Sequence, residues 1–283
     1  MPSGLVRPSI VPLQVALPWG IPRRSLIVLA GPAGTGKTVL AAHLSKFFME
    51  SGEKVIYLTF DDDPKSLVEH FRSFRWDIDA LFSKGLFSIV DGFSFRLGDL
   101  SADIGDEYVV RRVTPSDKDG IIYGLYDIAA KRYSMQGEGL IVVDSLNELM
   151  FSMDISQVLE FVKTIRAVFA KGLGIMVVTV LHTATELLEE LAAHLEYLVD
   201  GFIETRLNPT LLEIGIPLKE LMVRKMRGTM TNPQWVPYVI VDEGIMGVDQ
   251  SKLMALIQER MKEAAYVASL RGVSGVGQDK GKG

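Results

Sequence analysis

Gly31-Pro32-Ala33-Gly34-Thr35-Gly36-Lys37-Thr38 is the stretch around which this chain is organised. It matches the pattern G-x-x-x-x-G-K-[ST] at every position. Before it, Ser25 to Ala30 is a short apolar run that predicts a buried strand. After it, Val39 to Glu50 predicts a helix with Leu40, Leu44 and Phe47 on one face and Gly52 as its stop. Strand, glycine loop and helix in that order make a cradle for phosphate. Glycines let backbone N–H groups curl round an anion with no Cβ in the way. The helix start adds unpaired donors and a partial positive charge. Gly31, Pro32, Ala33, Gly34, Thr35, Gly36, Lys37, Thr38 and Val39 are therefore the expected nucleotide-binding residues. Lys37 brings a mobile point charge to the β- and γ-phosphates, and Thr38 offers a hydroxyl to Mg²⁺. The alternative is an ordinary glycine turn before a helix, which neither the full match nor the flanking strand and helix favour.

Composition narrows the class. With 283 residues the chain can bury a large core without staples. It has no cysteine, which excludes disulfides, thiolate metal sites and a cysteine nucleophile, and fits a reducing interior. A formal net charge of −5 gives no general pull toward nucleic acid. No apolar run reaches the roughly 18 residues of a membrane span. The N-terminus, with Pro2, Pro8, Pro12 and Pro18, lacks the order of a signal peptide, so a cytoplasmic location is expected.

Working outward, residues 1–24 are proline-rich and expected to be mostly extended, packing on the domain edge. Further strands are expected at 54–60, 86–90, 140–144, 175–180, 202–205, 212–214, 221–225 and 236–241, with a short one near 108–110. Helices are expected after Asp63-Pro64, over 120–133, from Asp154 to about Phe169, over 186–198 and over 251–270. Residues 93–119 lack periodicity and read as a surface excursion. The alternation implies an α/β fold with a mainly parallel central sheet, helices on both faces and antiparallel strands at the C-terminal end. The expected division is an N-terminal segment to residue 24, a catalytic unit over 25–248, a C-terminal helix over 249–271 and a disordered tail over 272–283.

Ligands in such sheets bind at the carboxyl ends of the strands. Asp61 and Asp62 follow one strand, Asp144 ends another, and the glycine loop follows a third. Asp144 is placed to orient Mg²⁺; the plain alternative is a strand-end acid in a turn. Asp61 and Asp62 are placed to polarise an attacking water, with Lys37 holding the phosphates; Asp63 reads as a helix cap. Thr179 and His182, expected to end the next strand, are candidate γ-phosphate sensors, or simple turn residues. Lys225 and Arg227 share one face of a strand and form a two-pronged cation. By themselves these two residues favour a solvated basic strand.

The residues also resemble a family. The chain is similar to single-domain relatives of the circadian-clock ATPase KaiC, within the RecA superfamily, from about Pro12 to Val248. The resemblance rests on Gly20-Ile21-Pro22, the P-loop, and Thr59-Phe60-Asp61-Asp62-Asp63-Pro64, where the family has Thr-Phe-Glu-Glu-x-Pro. Ser73-Phe74-x-Trp76-Asp77, Val143-Asp144-Ser145 and Lys225-x-Arg227-Gly228-Thr229 complete it. The resemblance implies ATP as the nucleotide, Mg²⁺ as its metal, and hydrolysis at the subunit interfaces of a homohexameric ring. It makes Asp61 and Asp62 counterparts of a catalytic glutamate pair, and Lys225 and Arg227 cations that reach a neighbour's ATP. Aspartate is one methylene shorter than glutamate, on the order of 1.5 Å. Misplacement on that scale can cost about 10²-fold in rate.

The expected function is therefore a ring-forming regulatory or signalling ATPase with an unidentified protein partner. One alternative is a DNA recombination accessory, but residues 145–154 and 181–190, after two of the strands, carry no lysine or arginine. Another is a slow or non-hydrolysing nucleotide sensor, which the aspartate pair keeps open.

Overall fold

Residue 26 begins a run of six buried residues, and this strand lies inside the main sheet. The structure is a computed structural model that describes residues 4–97 and 106–273. In chain order, β1 (Leu5–Val6) and β2 (Ile21–Pro22) pair antiparallel as a small outer ladder. The parallel strands are β3 (Leu26–Gly31), β4 (Val55–Thr59), β5 (Phe87–Asp91), β6 (Val109–Arg112), β7 (Leu140–Asp144), β8 (Met176–His182) and β9 (Gly201–Leu207). Three antiparallel strands follow: β10 (Lys219–Met226), β11 (Val236–Val241) and β12 (Gly244–Gly247). The sheet order is β12-β11-β10-β9-β3-β8-β7-β4-β5-β6.

Helices cover both faces, as the continuous apolar runs of the central strands require. On one face α1 (Val11–Ala16), α2 (Lys37–Glu50), α3 (Pro64–Arg72) and α4 (Ile78–Ser83) pack over Ile27, Leu29, Tyr57 and Val178. On the other, α5 (Lys118–Tyr126), α6 (Ile155–Ile165) and α7 (Glu186–Leu198) pack over Leu26, Val28, Ile56 and Val177. The alternation of residues 26 to 30 between the two cores is the period-two geometry of a strand. Two further helices complete the set: the short α8 (Pro209–Glu213) between β9 and β10, and the long α9 (Gln250–Val273) after β12.

The topology places the site. The chain leaves β3 through α2 and re-enters the sheet at β4, skipping the positions that β8 and β7 later fill. This crossover opens a crevice at the carboxyl ends of β3, β8, β7 and β4.

Three expectations change. Val11–Ala16, expected extended, is a helix with Pro12 in its first turn, where proline lacks no needed donor. Residues 212–214, expected as a strand, form the end of α8 and its C-cap, because Asn208 caps the helix through Leu211 N and Pro209 follows it. Here the local cap outweighs a short apolar pattern. Thr179 lies in the middle of β8 rather than at its end, since the strand runs on to His182. Helix α4 and strand β12 were not foreseen. The short strand near 108–110 is β6, whereas Gly98, Asp99, Asp103 and Gly105 of the excursion lie outside the described residues. The C-terminal helix reaches Val273, and the rest of the expected tail, 274–283, also lies outside them.

Candidate functional site

The loop from Gly31 to Gly36 is shaped by positive φ angles that only glycine adopts without strain. Gly34 stands at φ 75° and Gly36, the N-cap of α2, at φ 91°. A Cβ on Gly31 would sit 2.1 Å from the Thr205 carbonyl oxygen, so β9 passes hard against the loop. The loop is also braced from behind. Thr35 Oγ1 meets Thr205 Oγ1 at 2.7 Å, and the Tyr238 hydroxyl donates to the Thr35 carbonyl. Pro32, Ala33 and Gly34 remain exposed, while Val39 turns away and packs against the core.

Lys37 is 2% exposed and donates to the carbonyls of Gly31 at 2.8 Å and Pro32 at 2.7 Å. Burial pulls its ammonium down to about 8, against the pull of the Asp144 and Asp61 charges. The cation is thus stored inside the loop beside two acids.

Register brings those acids together. Thr59 of β4 lies opposite Asp144 of β7, and Phe60 N donates to the Asp144 carbonyl at 2.7 Å. Asp144 is 4% exposed, and its Oδ2 accepts the Tyr57 hydroxyl at 2.7 Å. The Tyr57 ring is fully buried among aromatic neighbours, 6.0 Å from Phe71 and 6.3 Å from Phe87. Burial pushes the Asp144 carboxyl up to about 6, although the hydrogen bond from Tyr57 and the nearby Thr38 hydroxyl pull it down. No hydrogen bond of ordinary geometry reaches its Oδ1.

The adjacent pair Asp61 and Asp62 is split. Asp61 Oδ1 accepts the Ser145 hydroxyl at 3.0 Å, and its Oδ2 lies 3.5 Å from His182 Nε2. One ligand atom from each of Asp61, Asp144 and His182 falls within 4.8 Å of the others. Asp62 is not part of that group: burial and the Asp61 charge push its carboxyl up while His70 pulls it down. Asp63 caps α3 by accepting Lys65 N and Ser66 N, as expected.

His182 is paired with Gly31 across β3 and β8, so it stands next to the start of the loop. Its backbone N–H and carbonyl are both held by the Asn147 side chain, at 2.8 and 2.9 Å. Thr179 is fully buried inside the sheet opposite Val28 and is not brought to the site.

Lys225 and Arg227 lie at the other edge of the sheet. Lys225 pairs with Phe202 and Met226 with Gly201, near the start of β9, whereas the loop abuts Thr205 near its end. A bulge separates Val223 from Lys225, yet both cations reach the same carbonyl, that of Tyr197. Lys225 Nζ donates to the Glu196 and Tyr197 carbonyls, and Arg227 Nη2 to Tyr197 as well. They close the last turn of α7, where unpaired carbonyls attract cations. Burial, and the Arg227 charge, pull the Lys225 ammonium down.

These residues fit a nucleotide and its hard cation. Thr38 and the unpartnered Asp144 oxygen offer oxygen ligands, the loop presents backbone N–H groups, and Lys37 is at hand. Sequence reasoning missed Tyr57, Ser145, Asn147, Thr205 and Tyr238. The one available signal was Tyr57, a hydroxyl in an otherwise apolar strand that must find a partner when buried.

Comparison with known proteins agrees with the fold and the loop. Residues 8–252 match the family model "ATPase: KaiC". A UPF0273 protein of Methanopyrus kandleri is 29% identical over 268 residues, covering 91% of this chain and 97% of that one. A UPF0273 protein of Methanocaldococcus jannaschii is 31% identical over 252 residues, covering 85% and 95%. The crystal structure of a KaiC-like protein from Pyrococcus horikoshii aligns with a TM-score of 0.66 at 20% identity, over 88% of this chain and all of that one.

Proposed function

The chain belongs to the KaiC family of RecA-superfamily P-loop ATPases, and from that premise we propose that it binds and slowly hydrolyses ATP at the interfaces of a ring of its own copies, in a regulatory or signalling role. One observation carries this reading. The acids and Lys37 converge at one edge of the sheet, while Lys225 and Arg227 stand at the opposite edge, where they cannot serve the same protomer's loop.

Each residue has a role in that reading. The loop N–H groups and Lys37 hold the phosphates. Thr38 and Asp144 hold Mg²⁺, which when bound neutralises charge on the β- and γ-phosphates. Asp61, oriented by Ser145, accepts a proton from the attacking water. His182, paired with Gly31 across the sheet, serves in this reading as the γ-phosphate sensor. A neighbour's Lys225 and Arg227 neutralise charge that develops on the transferring group. The short aspartate side chain supports slow turnover and a switch-like use of the bound nucleotide.

Phosphate release measured alongside sizing, with and without ATP-Mg²⁺, tests the reading. Nucleotide-dependent assembly with turnover that rises on assembly is expected. Full turnover by a monomer sinks the interface role. Tight ATP binding without phosphate release replaces the enzyme with a nucleotide sensor. No helix among the described residues is long and apolar enough to cross a membrane.

A further inference from the structure

We propose that Asp61, Asp144 and His182 form a protein-only site for a divalent transition-metal ion of the Mn²⁺ class, filled in the absence of nucleotide. This goes beyond the phosphate-bound Mg²⁺ of the ATPase reading, because all three ligands come from the chain and one is a nitrogen.

The geometry supports an ion directly. The three ligand atoms lie within 4.8 Å of one another. Two ligands on one ion, each about 2.1 Å from it, are at most about 4.2 Å apart. Closing the difference takes a movement of well under an ångström from each side chain. Asp61 and His182 have that freedom, with side chains 33% and 29% exposed.

The surroundings prepare each ligand. Tyr57 occupies Asp144 Oδ2 and leaves Oδ1, buried and without a partner, as the oxygen available to an ion. Ser145 occupies Asp61 Oδ1, leaving the oxygen that faces His182. Asn147 clamps the His182 backbone on both its donor and acceptor. Hydrogen bonds such as those on the two carboxylates orient metal ligands and raise their affinity. A buried carboxylate oxygen with no donor carries a cost that a bound cation removes.

The donor set chooses the ion. Mg²⁺ prefers oxygen ligands and keeps several waters. Two carboxylates suit Mn²⁺ as they suit Mg²⁺, and the imidazole nitrogen beside them tips the set toward a first-row transition ion. Of the four histidines in the chain, only His182 is grouped in this way among the described residues.

Mn²⁺ alone is the probe. Titrating the nucleotide-free, full-length chain and following the electron paramagnetic resonance signal of free Mn²⁺ should show one ion taken up per chain. Mg²⁺ should displace it only in large excess. Pulsed resonance spectra of the bound ion should show coupling to one imidazole nitrogen. His182→Gln should abolish that coupling and weaken Mn²⁺ binding about 10-fold or more, and Asp144→Asn should prevent binding. Wild-type spectra without nitrogen coupling overturn the proposal, and they do so without needing any variant to fold. Persistence of the coupling in a folded His182→Gln variant overturns it equally. A fluorescent ATP analogue, run in parallel, separates the two readings: a chain that binds the analogue but takes up no free Mn²⁺ keeps the nucleotide site and loses this one.

Discussion

Tyr57 donates its hydroxyl to Asp144 Oδ2 at 2.7 Å, from the middle of β4 to the carboxyl end of β7. The acid that faces the crevice is therefore held by the aromatic core beneath it. Burial, reinforced by the Asp144 charge, pushes the Tyr57 phenol well above its ordinary range, so it stays a donor. Tyr57→Phe keeps the ring but takes from the buried Asp144 carboxylate the one donor that reaches its Oδ2. Urea unfolding should show a loss of about 1–3 kcal/mol. Combining it with Asp144→Asn should cost less than the sum of the two changes. A loss below about 0.5 kcal/mol, the noise of distant surface changes, contradicts the bracing role.

The split of Asp61 from Asp62 separates two variants that sequence treats alike. Asp61 is tied to Ser145 and lies against His182, whereas the Asp62 carboxyl feels the charges of Asp61 and His70. Asp61→Asn should lower the turnover number by about 10²-fold or more with ATP affinity retained. Asp62→Asn should change it by less than about 10-fold. Steady-state phosphate release decides, and equal losses in the two variants refute the assignment.

A complementation experiment addresses Lys225 and Arg227. A Lys225→Ala, Arg227→Ala double variant should lose turnover in the homogeneous assembly. Its own loop is intact, so mixing it with Lys37→Ala subunits should restore part of the activity at mixed interfaces. Each pure variant alone should stay inactive. Because the two cations also close the end of α7, the double variant should lose roughly 0.5–2 kcal/mol of stability. Failure of the mixture to regain activity, with mixed assemblies demonstrated by sizing, argues against a role in trans.

His43 should make the fold acid-sensitive. It lies buried in α2, its Nδ1 accepts Ile245 N at 3.2 Å, and its ring sits 5.2 Å from that of Trp76. Burial pulls the imidazole from 6.5 down to about 4. Between those values the unfolded chain binds the proton and the folded chain does not, so stability rises with pH across the window. The contribution is present above pH 6.5 and is lost as pH falls toward 4, on the order of 3 kcal/mol in all. Denaturant midpoints at pH 7 and pH 4.5 should differ less in His43→Gln than in the wild type. An unchanged difference removes His43 as the cause.

Several features were legible from residue order because they depend on near neighbours. Glycine spacing sets the loop, since positive φ at Gly34 and Gly36 is a local steric matter. Asp63 before Pro64 names its own cap. The same locality misled at residues 212–214, where a short apolar run looked like a strand and the Asn208 cap made a helix.

Gly31 to Thr38 by itself determined a phosphate cradle, and the alternation of strand and helix determined a parallel sheet with that cradle at its edge. Tertiary structure alone decided which acid faces it. Tyr57 and Asp144 are 87 positions apart, and Ser145 and Asp61 are 84 apart. Their meeting depends on the register of β4 against β7, which is set by core packing across the whole sheet. Tertiary structure alone also sent Lys225 and Arg227 to the far edge, because β10 runs antiparallel to β9 and carries its end away from the loop. The reason is common to both cases: backbone sterics act within a few residues, whereas side chains from distant strands meet only where register and strand direction bring them.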